Sequence, residues 1–158
     1  MNFHDPADLR AIPPEDIRHM AGIDIFRAMM AGDLPAPPVS AISNQRIIEA
    51  EEGHITWEAI PPANFINPMG GVHGGWVMTV MDSALACAVH SMMPAGKACT
   101  TIEVKINITR APRPGVTYRC EGKALSVGRR VGTSEARMWG PDGKLVAHGT
   151  TSCLVIDV

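Results

Sequence analysis

The residues with the clearest chemical potential lie between positions 67 and 82. The run Asn67-Pro68-Met69-Gly70-Gly71-Val72-His73-Gly74-Gly75 places four glycines in six residues. Glycine lets a backbone turn tightly and approach a ligand closely. An apolar stretch read as a helix follows at once, so unpaired amide N–H groups and the positive end of the helix dipole gather at Gly74. Such donors can hold the negative charge that grows on a carbonyl oxygen under attack. Eight residues beyond Gly74 stands Asp82, the one carboxylate between Gly74 and His90. Aspartate is seldom buried without a partner, and a carboxylate on so apolar a helix marks a candidate reacting group. The plainer alternatives are a tight turn with a helix cap, and an Asp satisfied by hydroxyls or backbone.

Spacing adds a constraint. Eight residues of α-helix span about 12 Å, so the Gly74 amide and the Asp82 carboxylate of one helix do not meet at one carbonyl. Two copies lying antiparallel bring Gly74 of one beside Asp82 of the other. The chemistry therefore predicts at least a two-fold homodimer with two equivalent sites.

Competing readings of the loop fail on residue type. No Gly-Lys-Ser/Thr occurs, which excludes a P-loop. No Gly-x-Ser-x-Gly accompanies His73-Gly74-Gly75, so a serine hydrolase elbow is missing. His73 and His90 lack a third ligand, and no metal is expected. Cys87, Cys99, Cys120 and Cys153 form no Cys-x-x-Cys pair. They read as reduced, small core residues, which suits the cytoplasm. A formal net charge of −2 lacks the basic excess of a nucleic-acid binder.

The elements that must position these residues follow from periodicity. The chain has 158 residues, 46% hydrophobic and 19% charged, as in one globular domain. Residues 1–38 read as helical pieces broken by prolines, an extension that either packs as an arm or closes as a lid. Residues 39–158 read as the main domain. Arg46–Ala50 and His54–Ile60 are expected strands joined at Glu52-Gly53. Gly74–Met93 is the one long core helix, apolar on nearly every side and so expected to be covered on nearly every side. Asp82 argues against a membrane span, since a central Asp costs about 2.5–3.5 kcal/mol on insertion. The N-terminus lacks the basic-then-apolar pattern of a secretory leader, and none is expected. Ile102, Val104, Ile106 and Ile108 alternate with polar residues, as do Val116, Tyr118 and Cys120. Val131–Trp139 and Lys144–Val155 flank Gly140-Pro141-Asp142-Gly143, a hairpin signal. Five or six antiparallel strands wrapped around one helix satisfy all of this.

In these motifs the chain resembles the hotdog-fold acyl-CoA thioesterases of the phenylacetate-degradation (PaaI-like) type. The likeness rests on Asn67, Gly70 or Gly71, His73-Gly74-Gly75 and Asp82. It continues through Thr101-Ile102-Glu103, Asn107, Arg110 and Pro112, then Gly128-Arg129-Arg130 and Asp142 to Ala147. It runs over roughly residues 39–156, and Arg27 to Pro35 is similar to an extension found in one branch. The resemblance implies an α+β hotdog fold, hydrolysis of an acyl-CoA and a tetramer built as a dimer of dimers. It implies that the Gly74 N–H polarises the thioester carbonyl and that Asp82 of the partner acts as nucleophile or general base. It gives Asn67 the carbonyl or the water, Thr101 (or Thr100) the support of Asp82, and His73 the bracing of the loop. Gly75, Gly128, Arg129, Arg130 and Arg110 would meet coenzyme A, which is part of the substrate, so no separate cofactor is expected. A non-catalytic acyl-CoA binding module and a hotdog hydratase or dehydratase are the competing functions.

Overall fold

The computed structural model describes residues 2–5 and 9–158. Its centre is α4, Gly74–His90. Trp76, Val77, Val80, Met81, Ala84, Leu85, Ala88 and Val89 are buried, a stripe recurring every three and four residues. Fully burying a Val, Leu or Met side chain stabilises by roughly 1.5–3 kcal/mol, so this stripe fixes which side of α4 meets the sheet. That sheet has six antiparallel strands: β1 Gln45–Glu51, β2 His54–Ala59, β3 Lys97–Ile108, β4 Tyr118–Val127, β5 Val131–Trp139 and β6 Leu145–Asp157. Their order is β1-β2-β4-β5-β6-β3, which leaves β1 and β3 as the two edges.

Close approach of helix and sheet needs glycine at Gly122, where a Cβ would lie 2.0 Å from the Ala84 carbonyl oxygen. Two buried hydrogen bonds then fix the register. Trp76 Nε1 donates to the Ser43 carbonyl at 2.7 Å, and Ser134 Oγ donates to the Leu85 carbonyl at 2.7 Å. The β5–β6 hairpin closes through residues 140–144, with Gly143 at φ 70°, as the turn signal predicts.

Two expectations are corrected. First, α4 is covered on one side only within a chain. Met78 is 51% exposed, and Thr79, Asp82, Ser83, Ala86 and Cys87 are half-buried. Composition shows that a helix is apolar all round but not what covers it. Second, of the alternating apolar residues of β3 only Ile106 packs against the core. Ile102, Val104 and Ile108 are exposed. A bulge between Thr101 and Glu103 breaks the pairing with β6, and β3 lies at the sheet edge with no strand beyond it.

The extension contains α1 Pro14–Ile17, α2 Gly22–Ala31 and α3 Pro38–Ile42. Helix α3 runs across residues 38 and 39, where composition changes. Helices α2 and α3 lie against β1, the edge opposite β3. Among the described residues no helix is long and apolar enough to cross a membrane.

Candidate functional site at the two halves of the central helix

The glycine loop is held by its own side chains. Asn67 Oδ1 accepts the N–H groups of Met69 at 3.0 Å and Gly71 at 3.1 Å, and Gly70 takes φ 82°, open to glycine at little cost. Two backbone donors on one atom identify it as the amide oxygen. That leaves the Nδ2 donor of Asn67 for another group. His73 is the N-cap of α4, and its Nδ1 accepts the Gly75 N–H at 2.9 Å. The imidazole proton therefore sits on Nε2. A Cβ at position 75 would lie 2.8 Å from that Nδ1, so only glycine fits beneath the ring. With the Gly75 amide engaged, and that of Trp76 on the His73 carbonyl, the Gly74 N–H is the helix-start donor left open among the described residues. Gly74 itself abuts Ile108 near the end of β3.

Asp82 lies on the uncovered side of α4, two turns further on. Thr101 Oγ1 donates to Asp82 Oδ1 at 2.9 Å. Thr101, and not Thr100, thus supplies the hydroxyl partner that a carboxylate on an apolar helix needs. A hydrogen bond to a charged acceptor contributes about 1.5–3 kcal/mol. Around this pair stand thiols that sequence reading passed over. Burial, with the Asp82 charge behind it, pushes the Cys87 thiol up to about 12. Cys99 and Cys153 share a hydrogen bond that raises the first and lowers the second. All four cysteines are free. Among the described residues no cluster of His, Cys, Asp and Glu could hold a metal.

The arginines do not converge. Arg110 follows β3 and pairs with Asp142 at 3.1 Å, at the β5–β6 hairpin. Arg129 and Arg130 sit in the β4–β5 turn, closed by the Gly128 N–H on the Val131 carbonyl at 2.9 Å. The nine residues of β5 separate these ends by about 27 Å. The candidates thus sort into two groups. Asn67, His73, Gly74, Gly75 and Arg110 share one end of the chain. Asp82 and Thr101 stand at mid-helix, toward the turn of Gly128, Arg129 and Arg130, because Thr101 pairs with Cys153, which pairs with Gly132.

This fold is that of a known class. The sequence model of the thioesterase superfamily matches residues 69–147, half of the chain, and the chain belongs to that superfamily, with its hotdog fold. A curated relative from Archaeoglobus fulgidus, named "Putative esterase", is 29% identical over 102 residues. The match spans 65% of this chain and 64% of that relative's length. A phenylacetic acid degradation-related protein from Ralstonia eutropha is 27% identical, with a TM-score of 0.75 over 82% of this chain and 98% of that one. A Streptococcus pneumoniae thioesterase protein, solved with coenzyme A, is 23% identical, with a TM-score of 0.68 over 75% of this chain and 91% of that one.

Proposed function

We propose that the protein hydrolyses an acyl-CoA thioester to the free acid and coenzyme A, at sites shared between two copies of the chain. The observation that carries this reading is the held pair of Asp82 and Thr101 on the open side of α4, with a free Gly74 amide on the same helix. The thioester oxygen would accept hydrogen bonds from the Gly74 N–H and the Asn67 Nδ2. These strengthen as the carbonyl carbon becomes tetrahedral and negative charge moves to oxygen. Asp82 of a second copy would act in one of two ways. It adds to the carbonyl carbon and expels the thiolate, leaving an acyl anhydride that water then cleaves. Alternatively it takes a proton from a water molecule that attacks directly. Either route consumes one water and yields one acid and one thiol.

The exposed surface supports the pairing of copies. Ile102, 57% exposed, lies with Val104 and Ile108 along the β3 edge, and Met78 is exposed on α4. An unpaired apolar edge strand is a template for another strand. A two-fold axis at β3 would set each Asp82 against the other copy's Gly74 and bring Arg129 and Arg130 toward the glycine loop they do not reach in their own chain. Two such dimers would make the tetramer. The bound coenzyme A of the Streptococcus protein supports the choice of thioester.

The test is release of free thiol from a panel of acyl-CoA compounds, read with a thiol reagent beside a sedimentation run. Turnover by a dimer or tetramer is expected. Tight binding of acyl-CoA without turnover would favour the binding module, and hydration of an enoyl-CoA, seen by absorbance, would favour the hydratase.

A further inference from the structure

We infer that the cavity between the N-terminal extension and β1–β2 is a second binding site, for a small apolar molecule that carries one neutral carbonyl oxygen. The cavity measures about 320 Å³, within the range of small-ligand pockets. Met29 and Met30 of α2 form one wall, and Ile47 and Ile48 of β1 form the other. Neighbours in a strand ordinarily point to opposite faces. Here a bulge between Ile47 and Glu49 leaves Ile48 outside the pairing with β2, and both isoleucines line the same space.

The polar atoms set the ligand's chemistry. Ser40 is 1% exposed and Trp57 is 4% exposed, and both line the cavity. Ser40 Oγ and Trp57 Nε1 are buried and meet no hydrogen-bond partner among the described residues. Trp76 makes the contrast: its Nε1 is equally buried and donates to the Ser43 carbonyl. An indole N–H only donates and a hydroxyl can donate. Two donors suit one carbonyl oxygen with its two lone pairs. Arg46 and His4 also line the cavity, but Arg46 Nε and Nη2 are committed to Glu58 at 3.1 and 2.8 Å, and His4 Nε2 meets the Gln45 carbonyl at 2.7 Å. That favours a neutral carbonyl over a carboxylate. A single water would satisfy the two donors yet fill a small part of the volume. Both donors are closed from solvent, so seating a ligand oxygen against them needs a small shift of the lining. Two methionines, each with three rotatable bonds, can supply it.

The site is separate from Asp82. It lies against β1 and β2, whereas Thr101 is on β3 at the opposite edge of the sheet. The inference therefore does not rest on the hydrolysis proposed above.

The experiment titrates the full chain with 2-octanone and, separately, with octanoate. It follows the three indole N–H resonances by NMR and the affinity by calorimetry. The resonance that disappears in Trp57→Phe should move downfield with 2-octanone, while those of Trp76 and Trp139 stay. Trp57→Phe and Ser40→Ala should each weaken binding roughly tenfold, and Asp82→Asn should leave it unchanged. If Trp57→Phe does not fold, Trp139→Phe and Trp76→Phe assign its resonance by elimination, and Ser40→Ala with that resonance shift carries the test. A static Trp57 resonance, a preference for octanoate, or binding lost in Asp82→Asn would overturn the assignment.

Discussion

The two halves of α4 hold their chemistry in different ways. At its start the side chains that brace the glycine loop act locally, although Trp76 in the first turn also reaches back to the Ser43 carbonyl. Asn67 braces Met69 and Gly71, and His73 braces Gly75, over spans of two to four residues. These bonds need no contact from a distant part of the chain. Two turns on, Asp82 is held by Thr101, nineteen residues away on another element. The first half is a built donor site. The second depends on β3 being docked in register, and its open side faces away from the chain's own core. The shared site proposed above would draw on both properties: donors braced within the loop, and an acid accessible to a neighbour.

Replacing the acid tests the comparison most severely. Asp82→Asn should lower the rate of thioester hydrolysis by about a thousandfold or more while the fold persists, since the loss would fall on the proposed reacting group itself. Steady-state kinetics with circular dichroism as the fold control checks this, and an active variant would remove Asp82 from the chemistry. The sharing of sites is tested by mixing two dead proteins. Asp82→Ala and Asn67→Ala, dissociated and reassembled in equal amounts, should recover about a quarter of wild-type activity. Half the dimers are then mixed, and each carries one intact site of two. No recovery would mean that both halves act within one chain.

Thr101→Val should cost roughly ten- to a hundredfold in kcat, the worth of one hydrogen bond to a charged acceptor. Asn67→Ala leaves two backbone N–H groups without their acceptor, whereas Thr101→Val removes one side-chain bond, so its effect on thermal stability should exceed that of Thr101→Val. The arginines separate the halves more gently. Arg129→Ala should raise KM several-fold at constant kcat, and more so at low salt, as expected for a phosphate contact in partial solvent. Arg110→Ala should do less, because Arg110 is already paired with Asp142.

The smallest expected effect lies at the far end of α4. Burial against the extension lowers the His90 pKa below its ordinary value of 6.5, and its ring meets Phe26 edge-on at 5.6 Å. The folded state therefore resists protonating His90 while the unfolded chain does not. Stability should be full above about pH 6.5 and decline as pH falls below it. Melting temperatures at pH 7.5 and 5.5 should differ less in His90→Gln than in the wild type.

The sequence by itself determined what depends on neighbours in the chain. The glycine loop, the long helix, the β5–β6 hairpin and the isolation of Asp82 on that helix are all legible from residue type and period, because turn chemistry and side-chain periodicity act over a few residues. The tertiary structure alone decided what depends on docking. It selected Thr101 over Thr100, and it set Cys87, Cys99 and Cys153 around the acid. It parted Arg110 from Arg129 and Arg130, and it left one side of α4 and the β3 edge uncovered. Those outcomes turn on strand order, a bulge and the direction of a helix across a sheet. No local pattern encodes them, since contacts between residues distant in the chain are fixed only when the whole core packs.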